Sequence, residues 1–250
     1  MTMHTTNSTT KEIDCIEFKN ILYCHKHAIT FISNPKVACS TIKNSLLGGF
    51  DGNVHKEAEK KFLIRPNMNN DFFCLTRNPY SRALACFKNK IGFGKEINPN
   101  AVWHPFCRRF NFDPNEKPSF ADFLRALLKD NNPETFDLHY RSQHINLHYE
   151  NIQPAYTGRI EKFKELATYL ENHAIKIYSR NTHQTGSLLS YKSEIGTTEA
   201  DLIKKLYEKD FETYEYNMDL DSDFIPDPLE QNQKISPKYV SILEASRNEP

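Results

Sequence analysis

The pattern of hydrophobic and polar positions predicts short apolar strands that run into polar turns and then into helices. An apolar run at 28–33 leads into a polar turn at 35–41, and a second run at 72–76 leads into a turn at 77–82. A helical pattern follows each turn. Strands that alternate with helices favour an α/β protein with a mainly parallel central sheet flanked by helices.

The rest of the pattern predicts further elements of the same kinds. Ser119, with Asp122 three positions on, and Thr198, with Asp201, match the pattern of a helix cap. The predicted strands are a hairpin of 16–24 and 28–33, of which the second is the buried one, and then 72–76, 155–160 and 175–178; the predicted helices are 40–47, 79–91, 119–129, 162–173 and 198–209; the predicted loop regions are 51–70, 92–118 and 180–197.

These elements predict one domain over residues 13–226. Residues 1–12 are predicted to be disordered, and 227–250 are predicted to be a polar tail that wraps over the surface or is disordered. A chain of 250 residues is long enough to bury a substantial core in a single α/β domain.

Net charge excludes some classes of partner. Lysine plus arginine and aspartate plus glutamate both number 32, so the chain has no bulk charge to attract nucleic acid or an anionic membrane. Any anion site must therefore be local.

Composition also favours a cytoplasmic protein. Several of the six cysteines lie within apolar strand or helix patterns, which is typical of reduced thiols, and no C-x-x-C pair indicates structural zinc. No apolar run approaches the ~18 residues of a transmembrane helix. Residues 1–10 are polar and lack the hydrophobic stretch of a signal peptide.

The first turn has the chemistry of a phosphate site, because free N–H groups at a helix N-terminus attract anions. It lacks the glycines and the Gly-Lys-Ser/Thr ending of a Walker A motif. Ala38 and Cys39 are small enough to let a phosphate approach the backbone, Ser40 and Thr41 offer hydroxyl groups, and Lys36 offers a point charge. The alternative is an ordinary strand-to-helix turn with an exposed lysine.

The second turn offers arginines. Arg77 follows the strand at 72–76 and could bind a phosphate with its forked guanidinium. The alternative is a surface ion pair, which contributes about 0–1 kcal/mol. A ligand with phosphates at both ends would suit the two turns together.

Five segments in order resemble the sulfotransferases that use 3'-phosphoadenosine 5'-phosphosulfate (PAPS). The two turns resemble Pro-Lys-x-Ala/Gly-x-Ser/Thr and Arg-x-Pro-x-x-Arg. Residues 137–143 resemble a His-aromatic-Arg-x-Gln segment, 156–161 a Gly-Arg-x-Glu strand end, and 203–216 a closing Tyr-x-x-Asp-Phe segment. The resemblance favours the carbohydrate branch, with its chondroitin, dermatan and heparan sulfotransferases and bacterial relatives.

This resemblance implies a P-loop-like three-layer fold and a set of residues that bind PAPS. Ala85 stands where the family usually has a serine that shares the 3'-phosphate, so Ser81 and Ser187 are the alternatives. The implied donor-binding residues are Lys36, Val37, Ala38, Cys39, Ser40 and Thr41 for the 5'-phosphosulfate, and Arg77, Ser81 and Ser187 for the 3'-phosphate.

The resemblance also implies the catalytic chemistry. Lys36 would stabilise charge on the bridging oxygen, and no metal is required. His139 is the first candidate for the general base and His55 the second, with Glu57 a weaker rival. Arg141 and Gln143 are the candidate contacts to the acceptor.

The function expected from the resemblance is sulfuryl transfer to a hydroxyl group, in a saccharide by preference, by a soluble relative of bacterial type. One alternative is a P-loop-like small-molecule kinase, which would need a glycine-rich loop and an acidic magnesium ligand. The other is a relative that binds nucleotide without turnover. The sequence sets neither the acceptor nor the oligomeric state.

Overall fold

The centre of the protein is a five-stranded sheet. The computed structural model describes residues 18–91, 101–178 and 190–246. Its strands are β1 (Ile21–Cys24), β2 (Ile29–Ile32), β3 (Asp71–Thr76), β4 (Ile152–Gln153), β5 (Tyr156–Arg159), β6 (Leu229–Glu230) and β7 (Lys234–Ile235). The order in the main sheet is β1-β2-β3-β5-β6, and β4 pairs with β7 separately.

The three central strands are parallel and the two edge strands are antiparallel. β2 pairs with β3 and β3 with β5 in parallel, while β1 and β6 run against their neighbours. This confirms the predicted α/β sheet and the hairpin of β1 and β2. However, β1 is as completely buried as β2, so the prediction of one buried strand was wrong.

Helices cover both faces of the sheet. The helices are α1 (Cys39–Leu46), α2 (Val54–Phe62), α3 (Pro79–Cys86), α4 (Trp103–Phe110), α5 (Phe120–Lys129), α6 (Gln143–Asn146), α7 (Phe163–Asn172), α8 (Thr197–Leu206), α9 (Glu208–Thr213) and α10 (Pro237–Ala245), and a π-helical turn, Phe87–Ile91, extends α3.

Two apolar clusters separate the layers. Alternate residues of a strand point to opposite faces, and Phe72 and Cys74 belong to one cluster while Phe73 and Leu75 belong to the other. The first cluster includes side chains of α3, α5, α8, α9 and α10, and the second includes side chains of α1, α2 and α7. The described residues therefore form three layers.

Two segments predicted as loops contain helices. In 51–70, Asn53 caps α2 by accepting hydrogen bonds from His55 N and Lys56 N, both at 3.1 Å. In the segment 92–118, α4 buries Trp103 and Phe106 against the core. Both helices are amphipathic, and the polar residues around them obscured the pattern.

Of the predicted helix caps and the predicted short strand, only the first cap is present. Ser119 caps α5 as predicted, because its Oγ accepts from Asp122 N at 3.1 Å. Thr198 does not cap α8, which begins at Thr197 after Gly196. No strand forms at 175–178, where Ile175 is buried beside Leu170, so its apolar character reflects packing.

The segment after residue 226 contributes to the fold. β6 extends the central sheet beyond β5, and α10 buries Tyr239 and Leu243 in the larger apolar cluster. Between them, Gln233 Oε1 accepts a hydrogen bond from Phe72 N at 2.6 Å. A segment of polar sequence can pack against the sheet in this way, because backbone and side-chain amide groups make its contacts.

Among the residues that the structure describes, no helix is long and apolar enough to cross a membrane. The predicted disorder of 1–12 lies outside the described residues.

Candidate functional site

A cavity of about 500 Å³ lies where the three parallel strands end. It is lined by the turn after β2, by Arg77 after β3 and by Ile160 after β5. Ligands of open α/β sheets bind at the carboxyl ends of the strands. The predicted residues that line the cavity are Lys36, Val37, Ala38, Cys39, Ser40, Thr41, His55, Arg77 and His139.

The first turn presents the start of α1 to the cavity. Lys36 and Ala38 adopt left-handed conformations, with φ of 69° and 50°. Ala38 occupies the cap position of α1 and provides no side-chain hydrogen bond. Since the next residues line the cavity, the uncapped N–H groups of this eight-residue helix are available to an anion.

Lys36 is held at the cavity wall by a residue that the sequence did not indicate. Its ammonium donates a 2.6 Å hydrogen bond to Asn89 Oδ1, on the π-helical turn. Burial lowers the pKa of Lys36 to about 8. Lys36 is therefore close to losing its charge in mildly alkaline solution.

The guanidinium of Arg77 joins the two turns. Its Nε donates to Ser81 Oγ at 2.8 Å, and its Nη1 donates to the carbonyl oxygen of Lys36 at 3.2 Å. Ser81 is buried and does not line the cavity, so it positions Arg77 instead of offering its hydroxyl to a ligand. Ala85 lines the cavity, and Ser187 lies outside the described residues.

The two predicted acceptor contacts are not in this cavity. Gln143 is completely buried, which is incompatible with direct contact to an acceptor. Arg141 lines a second cavity of about 350 Å³ and donates to Asn146 Oδ1 at 2.7 Å and to Glu134 O at 3.0 Å. Sequence order placed both residues near His139, but the chain turns them in other directions.

His139 has the geometry of a base. Its Nδ1 lies 2.7 Å from Asp137 Oδ1, which also accepts from the His139 backbone N–H at 2.9 Å. Burial lowers the pKa of His139 below its usual value, and the hydrogen bond to Asp137 opposes that shift. With Nδ1–H donated to the carboxylate, Nε2 is the nitrogen left to accept a proton.

His55 has a different environment. Its Nε2 lies 2.9 Å from Ser40 Oγ, and its Nδ1 lies 3.3 Å from the buried ammonium of Lys43. Glu57, two positions further along α2, does not line the cavity.

The charge of the cavity wall is positive. Lys36, Arg77 and Lys90 line it, and no aspartate or glutamate is among the described residues of the wall. In a chain of equal positive and negative formal charge, this wall is a local excess of positive charge, which is the property that an anion site in such a chain needs. Within the same described ranges, no group of three His, Cys, Asp or Glu side chains is placed to hold a metal ion.

The sequence model of the sulfotransferase family matches residues 19–217, which is more than half of the chain. The chain belongs to the sulfotransferase family. This confirms that the motifs belong to a sulfotransferase family sequence. Comparison with curated proteins and with solved structures found no match.

The closing motif, residues 203–216, contributes a buried carboxylate that contacts α6. Asp210 is buried, and its carboxylate accepts hydrogen bonds from Gln143 N at 2.7 Å and from His144 N at 2.8 Å. These bonds hold the start of α6, which follows the turn that carries His139. The motif therefore holds the start of α6 and does not itself line the cavity.

Sequence reasoning assigned no role to four residues that line the cavity or contact its histidines. Asn89 and Lys90 line the cavity, Asp137 lies 2.7 Å from His139, and Lys43 lies 3.3 Å from His55. The spacing of Asp137 and His139 was a usable signal, since a carboxylate two positions before a histidine can reach its ring. Lys43 and Asn89 gave no such signal, because only the packed fold brings Lys43 to His55 and Asn89 to the cavity.

Proposed function

We propose that this protein transfers a sulfuryl group from PAPS to a hydroxyl group of an acceptor, and that the acceptor is a carbohydrate. The observation that supports the donor is the positively charged cavity at two strand-to-helix turns. Membership of the sulfotransferase family supports the reaction class.

The chemistry of the wall fits this donor. A volume of about 500 Å³ is within the usual range of small-molecule pockets, about 300–1,000 Å³. The first turn of α1 and the hydroxyls of Ser40 and Thr41 would bind the 5'-phosphosulfate, and Arg77 would bind the 3'-phosphate. Ser81 supports that role by holding the guanidinium.

Lys36 would act at the leaving group. When bound, the donor supplies a sulfuryl group joined to a phosphate oxygen; the S–O bond breaks, and its electrons stay on that oxygen. The Lys36 ammonium, which Asn89 holds at the wall, would stabilise this charge. Positioning and charge stabilisation dominate such transfers, as they do in phosphoryl transfer.

His139 would take the proton from the acceptor. The acceptor oxygen forms its new bond to sulfur as its proton passes to Nε2, while Asp137 holds the ring by Nδ1. A positioned base contributes about 10²–10⁴-fold to the rate. His55 is the poorer candidate, because both of its ring nitrogens have protein partners.

The test of the donor is calorimetric titration with adenosine 3',5'-bisphosphate, with AMP and ATP as controls. We expect binding that requires the 3'-phosphate, and transfer of labelled sulfate from PAPS to at least one saccharide in a panel of hydroxyl acceptors. Preference for ATP would overturn the proposal in favour of a kinase. Binding without transfer to any acceptor would favour a non-catalytic relative.

A further inference from the structure

A chain of three side chains links α1 to α2 at the cavity, and its middle member, His55, is exposed. Lys43 is only 6% exposed, and its Nζ lies 3.3 Å from His55 Nδ1. On the other side of the ring, His55 Nε2 lies 2.9 Å from Ser40 Oγ. Ser40 is the second residue of α1 and lines the cavity.

The hydrogen bond between Lys43 and His55 decides the direction of the hydrogen bond between His55 and Ser40. A protonated lysine has donors and no acceptor, so His55 Nδ1 must accept from Lys43. A neutral imidazole that accepts at Nδ1 bears its proton on Nε2, and Nε2–H must then donate to Ser40 Oγ. Ser40 thereby uses its oxygen as an acceptor, and its own proton is left to donate elsewhere.

We propose that Lys43 and His55 are positioning residues that orient the Ser40 hydroxyl, so that it donates its hydrogen bond to an anion in the cavity. The identity of that anion, the 5'-phosphate of the donor, rests on the proposed function. The direction of the hydrogen bonds does not, because it follows from the contacts of three side chains.

The arrangement gives Ser40 a property that a lone serine lacks. A free hydroxyl rotates and can present either its proton or its lone pairs, whereas a phosphate accepts hydrogen bonds only. When the N–H of the His55 ring donates to Ser40 Oγ, the hydroxyl can no longer turn its lone pairs toward the cavity. It is therefore oriented as a donor before the anion binds. Preorganised donors of this kind stabilise an anion more strongly, because they need no reorganisation when the anion binds.

The first experiment reads the tautomer of His55 directly. In the full-length protein with ¹⁵N-labelled histidine, long-range ¹H–¹⁵N spectra distinguish a ring protonated at Nε2 from one protonated at Nδ1, and the His55→Gln variant identifies the signal. We expect the Nε2–H form, and mixed tautomers in Lys43→Met. An Nδ1–H ring in the unmodified protein would overturn the proposal, whatever the outcome for the donor.

The second experiment measures the consequence for binding. Ser40→Ala should weaken binding of adenosine 3',5'-bisphosphate by about 10-fold or more, as expected for a hydrogen bond to a charged group. His55→Ala should weaken it as well, and His55→Gln should restore much of the loss, because a glutamine amide places an N–H near the position of Nε2.

A double-mutant cycle separates orientation from simple structural damage. If His55 acts through Ser40, His55→Ala should have almost no further effect on affinity in the Ser40→Ala background. Additive losses would overturn the proposal. Lys56→Met, on the exposed side of α2, is the matched control for Lys43→Met and should leave affinity unchanged. If Lys43→Met does not fold, the tautomer in the unmodified protein still decides.

Discussion

The side-chain amide of Gln143 forms hydrogen bonds with both backbone groups of Arg77. Its Oε1 accepts from Arg77 N at 3.0 Å, and its Nε2 donates to Arg77 O at 2.8 Å. The same Oε1 accepts from Asn34 Nδ2 at 3.1 Å. One buried amide thus ties the turn after β3 to the turn after β2 and to the segment of His139.

We expect Gln143→Ala to lower the free energy of unfolding by about 2–4 kcal/mol, because it leaves buried backbone groups of Arg77 without partners. Urea denaturation measures the change. Gln153→Ala is the matched control: Gln153 is half-buried, and its side chain makes no hydrogen bond within the part of the chain that the structure describes. We expect a change within about 0.5 kcal/mol there. Equal losses in the two variants would contradict the role of Gln143.

The activity should fall in alkaline solution as Lys36 loses its proton. The proposed mechanism needs the ammonium, and the pKa of Lys36 is lowered to about 8, so kcat/KM should decline as pH rises through that value. In Lys36→Arg the guanidinium stays protonated, so the alkaline decline should move to higher pH even where the rate is lower. An unchanged alkaline limb in that variant would show that another group titrates.

The decline of kcat/KM in acid solution should reflect protonation of His139. A base must be neutral, and burial lowers the pKa of His139, so kcat/KM should be fully present at neutral pH and lost only below the usual histidine range. Asp137→Asn removes a carboxylate that favours the charged ring, so the limb should move to still lower pH while the plateau falls. A shift of the limb to higher pH would contradict the pairing of Asp137 with His139.

Substitutions of Lys36 and of Arg77 should have different effects on catalysis and on binding. Lys36→Ala should lower kcat by about 10²–10³-fold, the usual loss of one charge-stabilising donor, with a smaller effect on the affinity for adenosine 3',5'-bisphosphate. Arg77→Ala should weaken that affinity first, by about 10-fold or more. Arg125→Ala, at an exposed ion pair on α5, is the control and should change neither. Full activity of Lys36→Ala would refute the proposed mechanism.

Local sequence was sufficient for the two strand–turn–helix units of the site. The apolar runs of β2 and β3, the Pro at the start of α3 and the small residues before α1 each act within a few positions, so the pattern could predict them. It was also sufficient for the parallel centre of the sheet, because strands joined through helices align in one direction.

The roles of single side chains were less predictable. Ser81 and Gln143 stand in the expected motifs, yet both are buried and hold Arg77 instead of facing a ligand. A motif specifies which residue occupies a position, but not whether its side chain points into the cavity or behind it.

By itself, the sequence determined the two strand–turn–helix units, the family and the residues of the first turn. Only the tertiary structure decided that Asn89 holds Lys36, that His55 contacts both Lys43 and Ser40, and that β6 pairs with β5. The reason is that these contacts join residues on different elements of the fold. Their partners are selected by how the layers pack, which no local periodicity records.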